Sequence, residues 1–101
     1  MKINIDSEVE KFLISLEKHT IAKVLRTIDL LEKFSHQLGM PHSKKVTKEL
    51  FELRIRGQQE VRILYCFYKG AIYLLHGFVK KSRRIPQKDL NKSKKKFMAL
   101  T

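Results

Sequence analysis

The spacing of apolar residues changes period once along this chain, between residues 41 and 51, and that change constrains the fold more than any other feature. Before it, Val9, Phe12, Leu13 and Leu16 follow the i, i+3, i+4, i+7 spacing of one helical stripe. Ser7 and Glu10 stand three apart just ahead of that stripe, the arrangement of a capping box, so the spacing predicts a helix from Ser7 that closes near His19 and Thr20. The stripe resumes at Ile21 with Val24, Leu25, Ile28, Leu31 and Phe34. Gly39 with Pro41 beyond it predicts the end of a second helix. Two helices joined by a short connection are expected to pack as an antiparallel hairpin.

After a polar linker, Pro41 to Lys48, the period becomes two. Phe51, Leu53 and Ile55 alternate with Glu52, Arg54 and Arg56, which describes a strand buried on one face. A turn at Gly57 to Gln59 leads to a second alternating run, Val61, Ile63, Tyr65 and Phe67. Lys69 and Gly70 then turn the chain into a third strand, residues 71–79, completing an antiparallel meander. Leu90, Phe97 and Leu100 among lysines indicate a C-terminal helix after Pro86. The expected fold is therefore α+β: an N-terminal two-helix hairpin packed on a small antiparallel sheet, with a C-terminal helix, as one domain over residues 1–101. At 101 residues there is room for one core.

Charge is distributed as unevenly as period. The net charge is +12, yet residues 1–43 hold six Lys/Arg and six Asp/Glu, whereas residues 44–101 hold sixteen and four. All the excess lies in the second half. So much like charge in one compact unit favours an anionic partner, which relieves the repulsion and releases counterions. Nucleic acid fits this best, ahead of an anionic membrane or an acidic protein. The single cysteine, Cys66, excludes an intrachain disulfide, and no Cys or His pair has zinc-ligand spacing. The N-terminal segment has no apolar run of signal-peptide length, and no stretch approaches the ~20 apolar residues of a membrane span. A cytoplasmic protein without a leader is expected.

Alternation places Arg54 and Arg56 on one face of the first strand, roughly 6.6 Å apart. It places Arg62 on the corresponding face of the second strand, away from the helices. Lys80, Lys81, Arg83 and Arg84 leave the end of the third strand, where their side chains can fold over the same surface. Arginines on exposed strands also serve solubility, but solubility is met equally by mixed charge, and this half has few acids. Lys94 and Lys95, within the Lys92 to Lys96 tract, are further RNA-binding candidates, with ribosomal RNA or a protein partner as the alternative targets of that tract. Glu52 reads as an ion-pair partner for an arginine, with a general-base role as the alternative. Tyr65 and Tyr73 fit a core or rim better than a base-stacking platform. His76, expected by alternation to share a face with Leu74 and Phe78, reads as a structural imidazole, with an orienting or catalytic role as the alternative. The basic half contains only Glu49, Glu52, Glu60 and Asp89 as acids, too few and too scattered for a two-metal nuclease. A metal-independent, cofactor-free ribonuclease needs 2′-hydroxyl activation, charge stabilisation at the phosphorane and leaving-group protonation, and cations around a phosphate supply part of that. Arginine and unshifted lysine are poor bases at neutral pH, so a second macromolecule that presents the RNA in a reactive geometry is expected.

Three runs carry a resemblance: Leu50-Phe51-Glu52-Leu53-Arg54-Ile55, Val61-Arg62-Ile63-Leu64-Tyr65, and Leu75-His76-Gly77-Phe78-Val79-Lys80-Lys81. At these separations the chain resembles the phage-derived HigB-like branch of the RelE/ParE toxin superfamily, over nearly its whole length. The resemblance implies a toxin of a type II toxin–antitoxin system, a ribosome-dependent endoribonuclease that cuts messenger RNA. Its implied partners are mRNA, the ribosome and a helix-turn-helix, HigA-like antitoxin. It implies that Arg54 and Arg56 contact RNA, that Arg62 stabilises the phosphate and that Lys80 and Lys81 are the basic pair after the last strand. The catalytic candidates are therefore Arg54, Arg62, Lys80 and Lys81, and the RNA-binding candidates are Arg56 together with Arg83, Arg84, Lys94 and Lys95, the last four on charge and position alone. The chain departs from the RelE type at Glu52, where that type has lysine, and at Pro86-Gln87, where it has a tyrosine. Those departures leave the general base unassigned and keep open a ParE-like gyrase inhibitor or a plain nucleic-acid-binding protein.

Overall fold

The computed structural model describes all of Met1–Thr101. The chain begins with a strand, β1 (Ile3–Ile5), followed by α1 (Ser7–Ile14) and α2 (Lys18–Phe34). Strands β2 (Ser43–Lys45), β3 (Phe51–Ile55), β4 (Val61–Tyr68) and β5 (Ala71–Val79) come next, and α3 (Gln87–Ala99) ends the fold. The sheet has five strands in the order β1-β5-β4-β3-β2. Its β2 to β5 pairings are antiparallel, whereas β1 runs parallel to β5, with Ile3 opposite Ile72 and Ile5 opposite Leu74.

This corrects the expected architecture. The protein is α+β, but the sheet is mixed and larger than the small antiparallel meander predicted, and no helix hairpin forms its N-terminus. α1 packs mainly on β5 and α2 on β3, so the two helices lie side by side on the sheet rather than on each other. The reason is where their stripes point: Val9 and Leu13 of α1 and Val24, Ile28 and Leu31 of α2 all enter one core with Leu53, Ile63 and Leu74. The two missed strands are three residues each, too short to display a period, and they exist through pairing with distant strands. β2 falls inside the segment expected to be a linker.

Several local details also differ. Asp6, not Ser7, caps α1, accepting from the Glu8 backbone N–H at 2.9 Å. α2 stops at Phe34, before Gly39, because Ser35 takes a left-handed φ of 49° and a short 3₁₀ turn follows. Lys69 and Gly70 both have positive φ, 48° and 74°, as the tight β4–β5 hairpin requires.

α3 covers the sheet face opposite α1 and α2, so the sheet is buried on both sides. Leu50, Cys66 and Leu75 form a second small core there, capped by Leu90, Phe97 and Leu100. Lys96 ties the end of α3 to the start of α1 through Asp6 at 2.6 Å and Glu8 at 3.0 Å. No helix is long and apolar enough to cross a membrane.

The pairing of β4 with β5 slips by one residue: Leu64 faces His76 while Tyr65 faces Leu74, which leaves Leu75 as the extra residue of a bulge. The parity of β5 reverses at that point. Ile72 and Leu74 face the helical core before it, and Gly77 faces Phe12 of α1 after it. His76 therefore lies on the α3 face with Phe78, not with Leu74. At Gly77 the approach is close enough that an added Cβ would sit 2.6 Å from Phe12 Cδ2. Gly77→Ala is accordingly expected to lower stability by about 1–3 kcal/mol, the usual cost of overpacking. Urea denaturation measures it, and an unchanged midpoint would show that the Phe12 ring yields freely.

Candidate nucleic-acid interface

The β3–β4 hairpin sets Arg54 directly opposite Arg62, and Phe78 of β5 lies on the other side of Arg62. These residues form one cross-strand row on the α3 face, at the end of the sheet that α3 leaves uncovered. The chain leaving β5 is fastened to the same place, since the Lys80 backbone N–H donates to the Glu60 carbonyl at 2.6 Å. Lys80, Lys81 and Arg83 are thereby brought around Arg54, Arg56 and Arg62 to line a shallow concavity of about 480 Å³, together with Glu60 and Ser82. No apolar residue lines it. A surface of this composition fits a phosphodiester rather than a base.

The arginines are not equivalent. Arg56 is exposed and Arg54 half-buried, whereas Arg62, expected to project from an open sheet face, is only 3% exposed. Glu52, also buried, lies between two of them, its Oε1 3.5 Å from Arg54 Nε and 3.7 Å from Arg62 Nε. Neither contact reaches hydrogen-bond geometry, and both Nε atoms are buried without a hydrogen-bond partner. Arg62 Nη1 donates to the Val61 carbonyl at 3.0 Å and lies 3.8 Å from Glu60 Oε2, which is itself without a hydrogen bond. Burial pulls the Arg62 guanidinium below its ordinary pKa, the Glu52 charge opposes that shift, and neighbouring Arg54 adds to it. The result is a cation held out of water with incomplete pairing. Such a group stabilises a fold poorly, yet it is well placed to gain from an arriving anion.

The remaining candidates are divided by the fold. Arg84 lines an adjoining concavity of about 280 Å³ with Lys44, Lys45, Lys80 and Arg83. Lys94 and Lys95 stand exposed on α3 and line neither concavity. The lysine tract lies within α3, and Lys96 is ion-paired. Tyr65 belongs to the core, its hydroxyl hydrogen-bonded to Ser43 Oγ at 2.5 Å. His76 Nε2 meets Asp89 Oδ1 at 2.6 Å and stacks near Phe78, fastening α3 to the sheet outside the basic concavity. The Cys66 thiol, pushed up to about 11 by burial, stays protonated at neutral pH and is no nucleophile.

Sequence reasoning missed the contribution of Lys44 and Lys45, which sat in an unassigned linker. It also missed that Arg62 is buried. Arg62 is enclosed by Glu52, Arg54, Glu60 and the segment leaving β5, a packing that no periodicity displays.

The fold and surface define a small α+β protein that carries a cationic concavity on one end of a sheet covered on both faces. The family model described as phage-derived protein Gp49-like (DUF891) matches residues 11–98, most of the chain, and the protein belongs to that family. No curated protein matches it significantly.

Proposed function

We propose that the protein is the toxin of a type II toxin–antitoxin system and acts as a ribosome-dependent, metal-independent endoribonuclease on messenger RNA. The observation that carries this reading is the gathering of Arg54, Arg62, Lys80 and Lys81 around one concavity, with Arg62 kept charged inside the sheet at a cost to the fold. Membership of a phage-derived family, together with the resemblance of its strand motifs to HigB-like toxins, supports it.

In this mechanism the scissile phosphate sits among these cations. Arg62 and Arg54 stabilise the charge that grows on the non-bridging oxygens as the 2′-oxygen attacks phosphorus. Lys80 or Lys81 donates a proton to the departing 5′-oxygen. Arginine and lysine are poor bases, so the 2′-hydroxyl proton passes to solvent water as the O2′–P bond forms and the P–O5′ bond breaks. The ribosome supplies alignment of the 2′-oxygen with the phosphate, an effect of large magnitude in its own right. A helix-turn-helix antitoxin neutralises the protein, and its acidic groups meet the same surface.

Purified protein would be incubated with mRNA-programmed ribosomes and, separately, with DNA gyrase and relaxed plasmid. Loss of full-length mRNA only where ribosomes are present, with supercoiling unaffected, is expected. Intact mRNA with supercoiling blocked would replace this reading with gyrase inhibition.

A further inference from the structure

Arg54 and Arg56 also line a second groove, of about 270 Å³, which lies between α2 and β3 on the far side of these two residues from Arg62. Its other cations, Lys23 and Arg26, come from the half of the chain whose net charge is zero. One helical face collects them: residues 23, 26, 27 and 30 line the groove, while Asp29 and Glu32 do not. No carboxylate lines it. Unlike the central concavity, it has apolar lining, Leu30 and Ile55, and His42 adds a planar ring to its wall.

We infer that this groove is a nucleotide subsite: it takes a nucleoside unit of single-stranded RNA, with base or ribose against Leu30, Ile55 and His42 and the adjoining phosphate between Arg26 and Arg54. The inference rests on the proposed function for the direction of the strand, since the scissile phosphate occupies the neighbouring concavity. Three observations converge on it. The two concavities share Arg54 and Arg56, so one continuous strand can occupy both without crossing uncharged surface. The lining changes from wholly polar to mixed, as required on passing from a phosphate to a sugar and base. Unpaired RNA is commonly held by a planar side chain on its base and cations on its backbone. Arg26 is exposed and makes no hydrogen bond or ion pair within the protein, so its charge is free for a ligand.

The test uses the full-length protein and a 2′-O-methyl hexanucleotide, which cannot be cleaved, beside a matching strand that carries sugar and phosphate but no bases. Arg26→Ala is expected to weaken binding of both strands and to reduce the dependence of log affinity on log salt by about 0.7, the value for one lost single-strand phosphate contact. His42→Ala is expected to weaken only the base-bearing strand, by roughly 5- to 100-fold, the range for loss of one stacked base. Circular dichroism confirms folding, since neither side chain is hydrogen-bonded. Unchanged hexanucleotide binding in both variants, together with unchanged co-sedimentation on empty ribosomes, would overturn the assignment. So would equal losses of both strands in His42→Ala. Unchanged hexanucleotide binding with lost co-sedimentation would keep the RNA chemistry and identify the ligand as ribosomal RNA. None of these readouts requires cleavage, so a wild type that binds but does not cut would sink the nuclease reading and leave the subsite standing.

Discussion

Replacing Arg62 with methionine is expected to lower mRNA cleavage by about 10²–10³-fold while leaving the protein as stable as before, or more stable by roughly 1–4 kcal/mol. The two effects have one cause. Arg62 is buried, its Nε has no hydrogen-bond partner, and its nearest carboxylates lie at 3.7 and 3.8 Å. Its attraction to Glu52 therefore does not recover the free energy of leaving water, and an apolar chain of similar length removes that burden. Glu52 is not orphaned by the change, because Arg54 remains 3.5 Å away, and the Glu60 side chain, 42% exposed, can turn its buried Oε2 toward solvent. Activity measured beside chemical denaturation separates this outcome from simple misfolding. A variant that loses stability by several kcal/mol would mean that Arg62 is a structural cation after all.

Glu52→Gln is expected to have the opposite signature, a loss of about 3–5 kcal/mol in stability. The substitution keeps the shape of the side chain but removes the one negative charge between Arg54 and Arg62, leaving two guanidinium groups opposed across β3 and β4 with no buried counterion. The loss should shrink in an Arg62→Met background, since one of the repelling charges is then gone. A double-mutant cycle in urea measures that coupling. Additive effects would contradict the shared role assigned to Glu52.

Those two residues also show how far the sequence could be read. Alternation correctly put Glu52, Arg54 and Arg62 on the strand face turned away from α1 and α2, because side-chain parity is a local property. It could not reveal that Glu60 and the segment leaving β5 close around those side chains, which is a matter of long-range packing, so burial of Glu52 and Arg62 went unseen. The same limit explains β1 and β2: Ile3–Ile5 and Ser43–Lys45 become strands only because β5 and β3 offer edges to them. His76 shares a face with Phe78 as alternation indicates, but not with Leu74, because a single bulged residue, Leu75, reverses parity without any mark in the apolar pattern. The concavity itself was largely legible, since Arg54, Arg56, Arg62, Lys80, Lys81 and Arg83 do line one surface. What the charge tally concealed was Lys23 and Arg26. A zero net charge over residues 1–43 averages the two faces of α2, and only the fold shows that its cations and acids point in different directions.

Primer extension on an mRNA under translation tests the central claim most directly, with wild type and Arg62→Met compared in the presence and absence of ribosomes. The account predicts discrete new 5′ ends with the wild type and ribosomes together, and none when either ribosomes or Arg62 is missing. The same cuts from a folded Arg62→Met protein, or intact mRNA from a wild type that still arrests growth, would contradict it.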